Sequence, residues 1–201
     1  MIVLNDLYTG YSRNSPLLKA FNYKFDKKIY GILGKSGCGK TTFLRTVAGL
    51  MSPLQGEIII DNVKNNKKND IYMMHQSYTS FDWMTCLNNI LIAKKIKGKV
   101  TKEDVQNALK ILESVNLKGC EFKYPRQLSG GMRQRLALAR TIFMQPQIIL
   151  MDEPLSALDN ATRTEMQNMI INMHKSISNT IIMVTHSTEE ANKMCDEIIY
   201  F

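Results

Sequence analysis

Long apolar runs are absent from this chain of 201 residues. The longest ones, such as residues 148–151 and 180–184, are far shorter than the roughly 20 residues that a transmembrane helix requires. Residues 1–6 also lack the basic region and the apolar core of a secretory signal. From these two absences we expect a cytoplasmic protein whose contact with a membrane is peripheral.

Cysteines are few, and none belongs to a C-x-x-C pair or has a histidine beside it. The four are Cys38, Cys86, Cys120 and Cys195. Their spacing suits neither a zinc site nor a disulfide framework, so we expect four reduced thiols. The sequence leaves open whether the Cys38 thiol is sensitive to alkylating reagents or its side chain faces away from any ligand that its loop binds.

Acidic residues are outnumbered, since the formal net charge is +8 and the isoelectric point is near 9.3. An excess of positive charge is typical of proteins that bind nucleic acid or anionic lipid, but it also serves solubility. The densest basic run, residues 94–102, contains no aromatic side chain that could stack on a base. We therefore expect this run to be a solvated connection and the protein to have no nucleic-acid partner.

What the sequence does contain is the phosphate-binding pattern G-x-x-x-x-G-K-[ST]. Its residues are Gly34, Lys35, Ser36, Gly37, Cys38, Gly39, Lys40 and Thr41. The pattern lies between an apolar run, residues 29–33, and a helix-like stretch, which is the strand, loop and helix context that it needs. Its glycines allow successive N–H groups to form an anion nest ahead of a helix N-terminus. A flexible glycine turn is the alternative, and it would give the full pattern by chance in roughly one in a hundred such chains.

Side chains in this loop and at a later strand end predict the chemistry. Lys40 would place a positive charge at the β- and γ-phosphates of a nucleotide, and Thr42 would reach the α-phosphate. The Thr41 hydroxyl is a hard oxygen that suits Mg²⁺. Asp152 and Glu153 end an apolar run, where open α/β sheets bind their ligands. Asp152 would hold Mg²⁺ through water and Glu153 would accept a proton from a water attacking the γ-phosphate, unless both carboxylates only cap the next helix.

Apolar periodicity predicts the strands of an α/β fold. Rough apolar alternation in residues 2–7 and 21–25, together with a strand-like segment at 56–60, predicts that the N-terminal part is rich in β-structure. Two later apolar runs, residues 148–151 and 181–184, are of the kind that parallel sheets bury. We therefore expect a parallel sheet after a β-rich N-terminal region.

Helical spacing predicts the remaining elements. Residues 161–175 are helix-like and separate two of the apolar strands. Apolar residues from 87 onward follow i, i+3, i+4 spacing, and residues 101–104 form a capping box before the second helical run. We predict one domain, residues 1–201, with a nucleotide-binding core of residues 1–76 and 136–201 and a helical subdomain of residues 77–135.

Three segments in a fixed order resemble one family. They are the phosphate loop, then Leu128-Ser129-Gly130-Gly131-Met132 with the following Arg133-Gln134-Arg135, and then Asp152-Glu153-Pro154. By itself Ser-Gly-Gly is a flexible turn or a helix cap, but the combination resembles the ATP-binding cassette (ABC) ATPases of ABC transporters over essentially the whole chain. The resemblance implies a P-loop NTPase core of the RecA type, an N-terminal antiparallel β subdomain and an inserted α-helical subdomain.

The resemblance also implies ATP and Mg²⁺ as ligands and a composite site in a head-to-tail dimer. Ser129, Gly130 and Gly131 would close over the γ-phosphate held by the loop of a second ABC ATPase, in a homodimer or a heterodimer. Asp159 lies in a segment that resembles the loop crossing this dimer interface. Neither chain would have a complete site alone.

Three further positions are assigned by resemblance. Gln76 is similar to the residue that touches Mg²⁺ and the attacking water. His186 is similar to the switch histidine, although a lone histidine after a strand is more often a satisfied polar residue. Tyr11 and Tyr8 are both available to stack on adenine, and we favour Tyr11. Stacking on one aromatic ring does not distinguish ATP from GTP.

The subgroup is suggested by residues 80–90, which resemble the segment after the glutamine loop in importer ATPases of the nitrate, sulfonate and taurine group. Tyr124-Pro125-Arg126-Gln127 also resembles that group, whereas Asp82 stands where it usually has proline. Trp83 is expected to belong to the core of the helical subdomain, to line a groove that receives a helix of a membrane permease, or to do both. The resemblance implies an importer on the cytoplasmic face of the membrane, with permease subunits and, indirectly, a solute-binding protein as partners.

Two other functions are alternatives to an importer ATPase. A soluble ABC-type ATPase acting as a mechanical or interaction module usually has paired cassettes or a long coiled-coil insertion, which 201 residues do not accommodate. A small-molecule kinase with a phosphate loop gives no reason for residues 128–132. The sequence stops soon after its last predicted strand, so we expect no regulatory domain. The residues do not identify the transported solute.

Overall fold

A computed structural model describes residues 1–60, 71–74, 80–156 and 158–201 of the protein. These residues form two compact units. We call residues 1–60, 71–74, 146–154 and 174–201 the sheet unit, and residues 80–145, 155, 156 and 158–173 the helical unit.

Strands are confined to the sheet unit in the part of the chain that the structure describes. They are β1 (Ile2–Thr9), β2 (Leu18–Phe25), β3 (Ile29–Leu33), β4 (Gln55–Ile60), β5 (Ile71–Met74), β6 (Ile148–Asp152), β7 (Thr180–Val184) and β8 (Glu197–Tyr200). The helices are α1 (Lys40–Val47), α2 (Cys86–Lys97), α3 (Lys102–Ser114), α4 (Gly130–Met144), α5 (Asn160–Ile177) and α6 (Thr188–Met194).

One of the two sheets is antiparallel and has the strand order β2-β1-β4. Ile2 and Leu4 are buried on one face of β1, as the period of two residues in a strand requires. The register then shifts at Asp6, which takes a φ of 47°, and Leu7 returns to the buried face. This sheet confirms the predicted β-rich N-terminal region.

The other sheet is parallel and positions the candidate site. Its order is β5-β6-β7-β3-β8, and β3, β6 and β7 are buried along their whole length. Because its strands are parallel, the segments that follow β3, β6 and β7 lie at one edge. These segments carry the phosphate loop, Glu153 and His186.

A single core joins both sheets to α1. Phe43, Leu44 and Val47 of α1 pack with Leu4 of the antiparallel sheet and Ile182 of the parallel sheet in one buried cluster. The helix that follows the phosphate loop is therefore anchored on its apolar side, and the loop sits on a rigid base.

Local capping signals begin the helices of the helical unit. The Thr101 hydroxyl accepts a hydrogen bond from the Asp104 N–H, and the Asp104 carboxylate accepts one from the Thr101 N–H. This is the predicted capping box, and it confirms the start of α3. Helices α2, α3 and α4 share a second buried cluster, which includes Ile90, Leu112 and Leu136.

The predicted fold class is confirmed: a parallel α/β core carries an antiparallel N-terminal sheet and a helical insertion. The exact division at residues 77 and 135 stays a prediction. Among the described residues, no helix has both the length and the apolar character needed to cross a bilayer.

All four cysteines lie within the described residues and are free thiols there. Burial raises the pKa of Cys86 to about 11 and that of Cys195 to about 12. Both therefore carry their proton at neutral pH, and a protonated thiol is a poor nucleophile.

Candidate nucleotide-binding site

The loop between β3 and α1 has the backbone that the phosphate-binding pattern predicts. Gly37 and Gly39 take φ values of 81° and 104°, a region that favours glycine, and Gly39 is the N-cap of α1. A Cβ on Gly39 would also lie 2.8 Å from the Cβ of Leu17. The free N–H groups at the start of α1 thus follow directly on the glycine turn.

Lys40 is held against this loop by its own backbone. Its Nζ donates to the carbonyl oxygens of Gly34 and Lys35 at 2.8 Å and 2.9 Å, and the side chain is only 5% exposed. The Cys38 sulfur lies 3.9 Å from the same Nζ. The Cys38 thiol therefore lies beside the loop lysine, and its sensitivity to alkylating reagents stays a prediction.

Thr41 and Asp152 are brought together although they lie 111 residues apart. The Thr41 hydroxyl donates to the Asp152 carboxylate at 3.0 Å. Asp152 is only 7% exposed, at the end of β6. A hydroxyl and a carboxylate side by side at a phosphate loop are the hard oxygen donors that Mg²⁺ prefers, so these residues fit that ion. Gln76, the third residue assigned to the metal, lies outside the described residues.

Glu153 and His186 also meet at this edge of the sheet. The distance between Glu153 Oε1 and His186 Nε2 is 2.6 Å. Glu153 takes a φ of 49°, which is uncommon for a residue with a side chain, and its N–H donates to the Val184 carbonyl at 3.0 Å. Such strained residues cluster at functional sites because the surrounding structure must hold them. No sequence signal predicted this conformation.

Most of these groups line a cleft of about 240 Å³ within the sheet unit. It is lined by Tyr11, Leu17, Ser36, Gly37, Gly39, Lys40, Thr41, Thr42, Glu153 and His186. Tyr11 is 74% exposed, and its hydroxyl accepts from Thr42 Oγ1 at 3.5 Å. Tyr8 instead lines a different cleft, beside Arg13 and Leu54. Sequence reasoning missed Leu17, which has no chemical signature and is found only through its packing.

Two helices of the helical unit begin at the residues that the resemblance assigns to the interface with a second chain. Ser129 is the N-cap of α4, and its hydroxyl accepts from the Met132 N–H at 3.3 Å. A Cβ on Gly131 would lie 2.9 Å from Thr162, so α4 and the start of α5 are in close contact there. Gly130 is the first residue of α4.

Asp159 has a local role at the start of α5. Its carboxylate accepts from the Thr162 N–H at 3.0 Å. This bond and a second one from the Thr162 side chain lower the pKa of Asp159 below its usual value. The carboxylate is therefore ionised at neutral pH and favourably placed at a helix N-terminus.

Comparison with known sequences gives the family. The sequence model of the family described as ABC transporter matches residues 18–156. The chain is 39% identical over 176 residues to an uncharacterized ABC transporter ATP-binding protein of Methanocaldococcus jannaschii, a match that covers 87% of this chain. It is 43% identical over 171 residues to an uncharacterized ABC transporter ATP-binding protein of Bacillus subtilis, covering 84% of this chain. The matches span 66% and 65% of those relatives, so the chain corresponds to about two thirds of their length.

Comparison with solved structures gives the same result for the fold. The chain is similar to an ABC transporter cassette described as bacterial and dimeric, with a TM-score of 0.85, 30% identity and coverage of 100% of this chain and 94% of the other. A second structure of that cassette, in a post-hydrolysis state bound to ADP and Pi, has a TM-score of 0.86 at the same identity and coverage.

The family match extends over more than half of the chain, and the fold similarity extends over all of it. This chain therefore belongs to the ABC transporter family and has the fold of its ATP-binding cassettes.

Proposed function

We propose that this protein is the ATP-binding and ATP-hydrolysing subunit of an ABC importer. The observation that carries the proposal is the pairing of Glu153 with His186 in the cleft of the phosphate loop. A carboxylate beside an imidazole, a buried lysine and a helix N-terminus is an arrangement suited to phosphoryl transfer to water.

Several side chains of the cleft have separate roles in this proposal. Lys40 stabilises the charge of the β- and γ-phosphates, and Thr42 contacts the α-phosphate. Glu153 accepts a proton from the water that attacks the γ-phosphate. His186 holds the same water or the γ-phosphate in place, since its Nε2 already lies 2.6 Å from the Glu153 carboxylate. Positioning and charge stabilisation supply most of the rate enhancement in such reactions.

Thr41 and Asp152 would hold Mg²⁺, with Gln76 as a further contact, and the ion would neutralise charge on the phosphate oxygens. Tyr11 is proposed to stack on the adenine. Its position in the same cleft as the loop supports this choice over Tyr8.

The partner in the proposed assembly is a second ABC ATPase, most simply another copy of this chain. Ser129, Gly130 and Gly131 would bind the γ-phosphate held by that partner, because a helix N-terminus with a serine N-cap offers free N–H groups. Asp159 would lie at the interface between the two chains. The similar solved cassette is described as dimeric, which supports this arrangement.

An integral membrane permease is the other proposed partner, and the protein would bind it at the cytoplasmic face of the membrane. Trp83 is 72% exposed, and its ring lies 5.3 Å from that of Phe81 at a tilt of 58°, so it does not belong to the core of the helical unit. Exposed aromatic residues of this kind are typical of a docking surface for a helix. We propose an importer of the nitrate, sulfonate or taurine group, with a solute-binding protein upstream of the permease.

Replacing Glu153 with Gln tests the proposed chemistry. The amide has nearly the same shape but cannot accept the proton, so ATP turnover should fall by at least about 100-fold. ATP binding should remain, and ATP should now hold two chains together in size-exclusion chromatography. Glu189→Gln, on an exposed residue of α6, is the matched control and should leave turnover unchanged.

Rapid ATP hydrolysis by Glu153→Gln would remove Glu153 from the role of general base. Purification of the same variant from cells tests the partners, because trapped dimers should retain a membrane permease. Recovery of ribosomes or DNA instead would favour the soluble ATPase module.

A further inference from the structure

The segment that carries His186 is closed by a ring of hydrogen bonds. The Thr185 hydroxyl donates to Glu190 Oε2 at 2.7 Å and accepts from the Ser187 N–H at 3.1 Å. The Ser187 hydroxyl accepts in turn from the Glu190 N–H at 3.2 Å. His186 is the residue between the two hydroxyl-bearing members of this ring, so its backbone is held on both sides.

Burial makes these bonds costly to lose. Thr185 is 3% exposed and Glu190 is 7% exposed, whereas Glu189 next to it is exposed. A carboxylate removed from water needs hydrogen-bond donors to offset its desolvation. Ser187 provides the N-cap of α6, and the Glu190 carboxylate binds the Thr185 hydroxyl.

The ring is also attached to the strand that leads into the phosphate loop. The Thr185 N–H donates to the Ile32 carbonyl of β3 at 3.2 Å. On the other side, His186 Nε2 lies 2.6 Å from Glu153 Oε1. The His186 backbone is therefore fixed relative to β3, and its ring is fixed relative to Glu153.

We infer that Thr185 and Glu190 are positioning residues that set the place of the His186 imidazole beside Glu153. This inference rests on the proposed function, since the imidazole is one of the groups assigned to ATP hydrolysis. Neither residue touches the cleft, and both act through the segment on which His186 lies.

Thr185→Val removes the hydroxyl at nearly constant shape. We expect kcat for ATP to fall roughly 10-fold to 100-fold, because small displacements of catalytic groups have effects of this size. KM for ATP should stay near the wild-type value, since the loop and Tyr11 are untouched. Glu190→Ala should behave in the same way.

Conservative replacements should rescue the activity. Thr185→Ser keeps the hydroxyl, and Glu190→Gln keeps an oxygen that can accept from it, so both should approach wild-type kcat. Thr188→Val and Glu189→Ala change the exposed neighbours on α6 and serve as matched controls. Equal kcat for Thr185→Val and Thr188→Val would overturn the inference.

A double-mutant cycle separates positioning from a general loss of structure. In a His186→Ala background, Thr185→Val should lower kcat no further, because the group on which it acts is gone. Additive losses would overturn the inference. Circular dichroism and thermal unfolding would show that each variant is folded.

A measurement without turnover distinguishes this inference from the proposed function. The His186 side-chain signal in NMR, assigned by its loss in His186→Ala, should shift in Thr185→Val and Glu190→Ala but not in the two controls. An unmoved signal overturns the positioning role whatever the turnover. If the His186 signal shifts in these two variants but the wild-type protein does not hydrolyse ATP, the positioning role is supported and the proposed function is contradicted.

Discussion

The sheet unit and the helical unit place their candidate site residues in different ways. In the sheet unit, Thr41 meets Asp152 and Glu153 meets His186 across strands that are distant in the sequence. In the helical unit, Ser129 and Asp159 each accept from an N–H three residues further along the chain. The candidate residues of the sheet unit are thus placed by tertiary contacts, and those of the helical unit lie at helix starts and are placed by local contacts.

The difference bears on the proposed assembly. Groups that meet across strands already contact each other within one chain and need no partner to be in place. A helix start, by contrast, presents N–H groups that have no partner within the helix and that a ligand or another chain can bind. Changes in the phosphate loop of the sheet unit should therefore act on ATP binding by a single chain, and changes at the helix starts of the helical unit should act on turnover in the dimer.

Gly39→Ala should have the largest effect on the sheet unit. Alanine at a φ of 104° is strained by about 1–2 kcal/mol, and its Cβ would lie 2.8 Å from Leu17 Cβ. We expect lower stability in chemical denaturation and at least a roughly ten-fold weaker ATP affinity by calorimetry, because the loop must shift.

Gly49→Ala is the matched control for that change. Gly49 has a φ of 71° but open space around its Cβ position, so only the backbone strain applies. If Gly39→Ala were no less stable than Gly49→Ala and bound ATP normally, the loop would not depend on its packing against Leu17.

Ser129→Ala should have an intermediate effect that is specific to the helical unit. Loss of the N-cap of α4 should cost about 1 kcal/mol of stability. The ATP affinity of the single chain should not change, whereas ATP turnover at high protein concentration should fall, because the serine would bind the partner's γ-phosphate.

Thr101→Ala separates the loss of stability that follows from a missing helix cap from the loss of ATP turnover. It removes the N-cap of α3 in the same unit and should also cost about 1 kcal/mol, with turnover unchanged. Equal turnover for Ser129→Ala and Thr101→Ala would show that Ser129 is a helix cap and nothing more.

Glu197→Gln should have the smallest effect. The bonds from Lys28 and Tyr23, each 2.6 Å long, hold the pKa of Glu197 below its usual value of 4.5. A lowered folded-state pKa stabilises the protein above about pH 4.5, and that stabilisation is lost as the pH falls through the folded-state value. The variant should therefore lose less stability than the wild type between neutral and acidic pH.

Denaturation curves at several pH values would measure this effect, with Glu103→Gln, an exposed residue of α3, as the control. Because Lys28 and Glu197 are both well exposed, solvent screening should keep the difference small. A pH dependence identical to that of the wild type would mean that this pair does not contribute to stability.

Much of the fold followed from patterns of a few residues. The alternation in β1, the apolar strands β3, β6 and β7 and the capping box at Thr101 are all local signals, and each predicted its element. The phosphate loop was equally recognisable, because Gly37 and Gly39 take backbone angles that other residues avoid.

Other features had no local signal. The φ of Glu153, the packing of Leu17 against Gly39 and the exposure of Trp83 depend on neighbours that are distant in the sequence. Trp83 shows this most clearly, since its residue type favours burial and the structure leaves it in solvent.

The residues of the chain alone established which groups are available and which segments begin or end an element, because caps, turns and strand faces depend on atoms within a few residues. The pairing of Thr41 with Asp152, of Glu153 with His186 and of Thr185 with Glu190 required the folded protein. The first two depend on the order of strands in the parallel sheet and the third on the burial of Glu190. Strand order and burial are properties of the whole packed core, and no short stretch of sequence encodes them.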